Sequence, residues 1–368
     1  MKMSIFSDRC RKAQARMHET GIDYLFVSVG SDMFYLTGYS KKPSERLSLF
    51  VLPKDGEPSM VTARFEAARL ANVDRFYSIR TWDEAEDPMT ILRTLVNANK
   101  KATIGIDDRI WGLFVLRMQS MLPEARFVSA EPVLSQSRMI KDSYEISRLQ
   151  EMGRKMDKVY EEVVKLHFAG STELDLAVQI QGIAKKQELK PRDHAGVASG
   201  PNGASPHHST SDRVVEKSDG IWMELGCGGH VDGYCADMTR SVQVTPSTNK
   251  FRKTYEIVRE AQQRAFEAIR PGVTCESIDA VGRRIITEAG YGEYFTHRLG
   301  HGLGLDEHEP PYIVQGNTTC LQEDMVFSDE PGIYLPGEFG IRIEDIVVVT
   351  RDGAERLYDS TRELIVVK

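Results

Sequence analysis

Apolar positions in the first third of the chain fall into short runs separated by polar and helical-looking stretches. Residues 23–29, 47–52, 59–62, 103–106 and 126–128 read as strands, with helical segments between several of them. That order predicts a small α/β domain. The period changes near Ser143. Ile146, Leu149, Met152, Met156, Val159, Val163 and Leu166 recur at spacings of three and four, which is one apolar stripe of a long helix. Asp142 is placed to cap it, with Glu145 three residues on. The domain boundary is set just before this helix, giving an N-terminal domain over 1–138 and a second domain over 139–368.

The second domain carries a faint internal repeat. The stretch 165–177, which contains Gly170, Ser171 and Thr172, has an echo roughly one hundred residues later in 268–280, which contains Gly272, Val273 and Thr274. In each copy a helix is expected to end at the glycine and the threonine to cap the next helix. Each copy then runs through a Gly/His-rich segment into an expected β-hairpin. The first hairpin carries Glu224 and Asp237, the second Glu330 and Glu344. An α+β arrangement follows, with the two hairpins facing each other across a pseudo-twofold axis.

Bulk properties narrow the function. The chain has 368 residues, is 41% hydrophobic and carries a net charge of −7, so a nucleic-acid footprint is not expected. No run approaches the roughly 20 apolar residues of a membrane span, and residues 1–16 lack the apolar core of a signal peptide. Cys10, Cys227, Cys235, Cys275 and Cys320 are odd in number and form no CxxC. They are read as buried free thiols of a reduced, cytoplasmic protein.

The candidate chemistry lies between Glu224 and Glu344. A single acid beside a hairpin is ordinarily solvated. Glu224 follows Ile221-Trp222-Met223, Asp237 follows Tyr234-Cys235-Ala236, and Glu344 stands between Ile343 and a run of valines. Buried carboxylates need cations or strong donors. Four of them with one imidazole, His301, match the needs of two neighbouring divalent cations. His301 is flanked by Gly300 and Gly302, which permits close backbone approach. A lone histidine is most often structural, but His297, His301 and His308 fall within twelve residues. His297 and His301 are not a zincin pair, because Arg298 and Gly300 stand where that motif needs glutamate and a helix. His207, in a turn-rich stretch, reads equally as a loop histidine or a donor aimed at the metals.

These segments resemble the pita-bread metallopeptidases (family M24), and within them the proline-specific branch of Xaa-Pro dipeptidases (prolidases) and Xaa-Pro aminopeptidases. The resemblance rests on Phe34-Tyr35-Leu36-Thr37-Gly38-Tyr39, on Arg138-Met139-Ile140-Lys141 with Glu145-Ile146, and on the motifs around Asp237, His301, Glu330 and Glu344. It covers nearly the whole chain. It implies that Asp237 and Glu344 bridge two metals, that His301 and Glu330 complete one shell, and that Glu224 stands at the other metal's own carboxylate. It further implies that His207 and His308 contact substrate and stabilise the tetrahedral intermediate, with His297 and Arg342 at further substrate-binding positions. Mn is the expected metal, with Co and Zn compatible with the same ligands. The expected chemistry is attack on the Xaa-Pro bond of a dipeptide or short peptide by a hydroxide bridging the metals, with Glu330 moving the proton. A homodimer is implied, with the N-terminal domain capping the site.

One position departs from the family. Glu224 replaces the usual aspartate, and the thirteen-residue step to Asp237 is two residues longer than usual. One extra residue per strand keeps every side chain on its face, so Glu224 is expected to point inward, with Asp232 a substitute expected in the turn. The departure admits a same-fold C–N hydrolase or lyase of the creatinase, ectoine hydrolase or sulfonium lyase kind, or a binding protein on a catalytically dead fold.

Overall fold

The computed structural model describes residues 5–72, 76–96, 100–191, 196–229 and 233–368. The chain divides into two compact units, Met1–Arg138 and Met139–Lys368.

The first unit is built on a six-stranded mixed sheet in the order Ser78–Trp82, Ser59–Ala63, Leu49–Pro53, Tyr24–Ser28, Thr103–Ile106 and Arg126–Ser129. Five of these strands fall where the apolar runs placed them. The edge strand Ser78–Trp82 has a half-buried pattern that gives no continuous apolar run. The sheet packs a core that includes Phe26, Leu49, Val61, Leu92, Ile104 and Met118.

The second unit opens with the helix Ser143–Val163. Asp142 and Glu145 form a reciprocal capping box, each side chain accepting from the other's backbone N–H. The helix stops at Val163, so Leu166 lies beyond the end of the stripe. Both repeat helices are present, Glu173–Lys186 and Cys275–Glu288. Gly170 and Gly272 share a left-handed φ of 86° and 87°. They lie in the connecting turns rather than at helix ends, because the preceding helices finish at Val163 and Ala268. Thr172 caps its helix through its side chain, whereas the Thr274 side chain does not. In the second copy the first free N–H groups, of Cys275 and Glu276, are taken by the carbonyls of Thr319 and Asn317.

The expected hairpins form, but the acids sit at their margins. Gly220–Glu224 pairs antiparallel with Thr239–Val244, placing Thr239 opposite Glu224. Asp237 lies just outside that ladder. In the second copy Gly332–Leu335 pairs with Phe339–Arg342, and Val326–Asp329 pairs with Asp345–Val349. Glu330 and Glu344 occupy the break between these two ladders. Behind them lies a core that includes Phe251, Tyr255, Ile278, Leu299, Phe327, Ile341 and Val347. Asp232 lies outside the described residues. Cys10, Cys235 and Cys275 are buried as expected, whereas Cys320 is exposed. Among the described residues no helix is long and apolar enough to cross a membrane.

Candidate active site

A cavity of about 610 Å³ in the second unit is lined by Pro206, His207, Glu224, Asp237, His297, Arg298, His301, Glu307, His308, Glu330, Arg342 and Glu344. All nine candidate site residues therefore line one cavity, brought from four separate stretches of sequence.

The centre is Asp237, His301 and Glu344, whose ligating atoms lie within 4.8 Å of one another and are all buried. His301 is delivered by the short strand Gly300–Gly302. Its flanking glycines are there for space. A Cβ at Gly300 would stand 1.8 Å from the Ser328 carbonyl, and one at Gly302 would stand 2.3 Å from the Pro310 carbonyl. His301 Nδ1 lies 3.1 Å from the Gly302 carbonyl, so it carries a proton and donates there. That leaves Nε2 pointing at Glu330 Oε1, 3.1 Å away. Ser328 Oγ donates to the same Glu330 oxygen at 3.0 Å and accepts from His301 N–H.

Arg342 organises the other side. Its Nε donates to Thr239 Oγ1 at 2.9 Å, and that hydroxyl donates to Glu344 Oε2 at 2.6 Å. Its Nη1 donates to the Pro206 carbonyl and the Tyr334 hydroxyl, and its Nη2 donates to Glu224 Oε2 at 2.6 Å. Trp222 lies under the guanidinium, 4.9 Å from ring centre to Cζ. Tyr334 in turn donates to His297 Nε2 at 2.9 Å, because His297 Nδ1 already donates to the Arg298 carbonyl. Both nitrogens of His297 are thus engaged within the protein. His308 lies against His301 with ring centres 4.0 Å apart and planes tilted by 59°, and His207 is exposed on the cavity rim.

Electrostatics follow from this crowding. Burial, with Asp237 and Glu330 close by, raises the Glu344 carboxyl well above the ordinary range. Burial would raise Glu330 too, but the hydrogen bond and charge of His301 hold it down at about 2. The same contact raises His301 against the effect of burial. Burial, then the charges of His301 and Arg298, push His308 down to about 4, so it is neutral at pH 7. Four carboxylates concentrated around one imidazole are more anionic than the protein's own donors neutralise, as the raised Glu344 records. Divalent cations would relieve that repulsion, and the mixed oxygen and nitrogen donors suit them. The residues fit a metal centre.

Thr239, Ser328 and Tyr334 carry much of this geometry and were not singled out from sequence. A signal existed: Asp237 and Thr239, Ser328 and Glu330, Glu330 and Tyr334, and Arg342 and Glu344 are separated by even numbers of residues. In extended chain that spacing puts them on one face.

Comparison with known proteins agrees with the geometry. The sequence pattern of metallopeptidase family M24 matches residues 147–351, and that of the creatinase/prolidase N-terminal domain matches residues 9–140. The chain is 38% identical over 366 residues to a probable dipeptidase PepE of Mycobacterium tuberculosis, covering 99% of this chain and 97% of that protein. It is 35% identical to an Xaa-Pro dipeptidase of Lactobacillus helveticus, covering 97% of this chain and 98% of the other. The solved structure of a recombinant prolidase from Thermococcus sibiricus superimposes with a TM-score of 0.91 at 36% identity, over 100% of both chains.

Proposed function

This chain belongs to metallopeptidase family M24, and we propose that it hydrolyses the Xaa-Pro bond of dipeptides. It has the two-domain fold of that family's prolidases, an α/β N-terminal domain followed by the pita-bread domain, and it is an enzyme. The observation that carries the substrate reading is the match over nearly its full length to an Xaa-Pro dipeptidase, together with a cavity that brings five metal-type ligands to one wall.

Asp237 and Glu344 would lie between two divalent cations, His301 and Glu330 would serve one, and Glu224 would serve the other. Mn is our choice of metal. When bound, the cations acidify a water and polarise the scissile carbonyl. The protein's own residues do the rest. His308, held neutral beside His301, keeps an N–H to donate to the carbonyl oxygen as charge develops there. Exposed His207 offers a second donor from the rim. Ser328 donates to Glu330 Oε1, which leaves Oε2 as the oxygen that takes a proton and delivers it to the leaving nitrogen. Proline makes that nitrogen a tertiary amide without N–H, so no site group has to accept from it.

The experiment is hydrolysis of Xaa-Pro dipeptides and Xaa-Pro-Yaa tripeptides by metal-stripped protein reloaded with Mn. Cleavage of the dipeptides alone is the expected result. Cleavage of the tripeptides would move the reading to an aminopeptidase. Metal binding without cleavage of either would favour a non-peptidase hydrolase or lyase, with Glu224 as the residue that changed the chemistry.

A further inference from the structure

A dipeptide differs from a longer peptide by a free carboxylate next to the scissile bond, and recognising it calls for a cation with donors to spare. The cavity wall offers two guanidinium groups, Arg342 and Arg298. Arg342 has its donors committed. Four hydrogen bonds, to Thr239, Pro206, Tyr334 and Glu224, use all but one of the five N–H groups of a guanidinium. Its side chain is 4% exposed. A substrate carboxylate arriving there would have to displace Glu224 and would face Glu330 and Glu344 as well.

Arg298 is in the opposite condition. No described residue makes a hydrogen bond or ion pair with its guanidinium. It is held instead by the face of Tyr312, with Cζ 4.5 Å from the ring centre. Stacking fixes a guanidinium without consuming its N–H donors, so its fork stays available for a planar, bidentate carboxylate. The mounting is rigid. The Arg298 carbonyl accepts from His297 Nδ1 at 2.7 Å, and the next residue's N–H is bonded to Ile313. Tyr312 is the direct cross-strand partner of His301, so the stacked pair is tied by backbone to the imidazole at the centre of the site.

We propose that Arg298, held by Tyr312, is the specificity residue that binds the free α-carboxylate of the substrate's C-terminal residue and so makes the enzyme a dipeptidase. The proposal rests on the Xaa-Pro reading above. Tyr312 is a positioning residue, since it acts through Arg298.

The test compares Ala-Pro, Ala-Pro-amide and Ala-Pro-Gly as substrates of the Mn-loaded wild type and the R298A, R298K, Y312A and Y312F variants. Metal content and calorimetric binding of free proline and prolinamide are measured alongside. The wild type should prefer the free acid. R298A should raise KM for Ala-Pro about 10- to 100-fold, the scale of one or two lost charge-assisted hydrogen bonds. It should leave KM for the amide and the metal content unchanged, and change kcat by less than about threefold. Y312A should give part of that KM effect and none on top of R298A, while Y312F should restore it. The proposal is overturned if R298A keeps the preference for acid over amide, or if the wild type cleaves all three alike. If the wild type cleaves none, the proline measurement separates the two ideas. Proline binding that is lost in R298A would support the carboxylate site while the peptidase reading falls, and unaffected binding would remove both.

Discussion

Arg240 Nη2 donates to Asp345 Oδ1 at 2.6 Å, with both side chains wholly buried. The pair joins the two repeat halves directly behind the site. Arg240 follows Thr239 in the first hairpin, and Asp345 follows Glu344 in the second. Arg240 Nη1 also donates to the Glu344 carbonyl, so the backbone of a proposed metal ligand is held by a charge from the other half. Glu344 N–H returns the contact to the Thr239 carbonyl at 3.0 Å.

Removing one partner of that pair leaves a buried charge behind. R240M should destabilise the protein by about 3 kcal/mol or more, measured by chemical denaturation of the metal-free protein. A change below about 1 kcal/mol would mean that Arg362, Arg356 and Gln262, which also contact Asp345, suffice without Arg240.

Tyr334 links Arg342 to His297. Y334F removes one buried hydroxyl and leaves His297 Nε2 without its donor. Loss of a buried, partly charge-assisted hydrogen bond should lower kcat/KM by about tenfold, with metal content unchanged. Full activity in Y334F would show that Thr239, Pro206 and Glu224 place Arg342 without the tyrosine hydroxyl.

Glu224 reaches Arg342 at 2.6 Å. E224D brings the acid back to the family's usual length. It should retain or raise peptidase activity and keep its metal content, both read on the same preparation by elemental analysis and dipeptide turnover. Loss of both metals in this variant would rule against the proposed ligand role.

His301→Ala removes the imidazole of the donor cluster formed with Asp237 and Glu344. It should lower divalent-metal affinity by more than about a hundredfold and abolish turnover. Unchanged turnover would sink the site assignment. In the unsubstituted protein, metal uptake should release protons, since the raised Glu344 and His301 must give theirs up. Calorimetry in two buffers of different ionisation enthalpy reads this, and identical heats would contradict it.

Glu173 is buried at the head of its helix, where it accepts from Ser199, Asn202 and Ser211 and contacts His208. It thereby anchors the segment that carries His207. Burial raises its carboxyl, but the hydrogen bonds from Ser211, Ser199 and His208 outweigh that and bring it below the usual 4.5. A folded value below the unfolded one means stability that is present above about pH 4.5 and lost as pH falls through the folded value. E173Q should cost about 2 kcal/mol at pH 7, and its deficit should shrink as pH drops below 4.5. A deficit independent of pH would show that packing, not charge, is at stake.

Much of this was readable along the chain. The strands of the first unit follow from short apolar runs, and the long helix follows from its stripe and the Asp142–Glu145 box. The acids and His301 could be named from sequence because buried carboxylates in apolar contexts demand compensation. Their order along the chain also resembles a known family, now matched by pattern and by structure. Local pattern alone set these features, since period and capping depend only on neighbouring residues.

What needed the tertiary structure was which donor meets which acceptor. Sequence placed Arg342 and His297 among substrate-binding positions, and only packing shows that Arg342 bonds Thr239, Pro206, Tyr334 and Glu224 and that both nitrogens of His297 are engaged. Sequence noted Arg298 only as an obstacle to another motif, and the fold stacks it on Tyr312 with no hydrogen bond or ion pair to its guanidinium among the described residues. These outcomes depend on strands a hundred residues apart lying side by side, so that a hydrogen bond made at one group removes its donor from another. Such competition for donors exists only once the chain has folded, and it decides which of several charged residues remain available to a substrate.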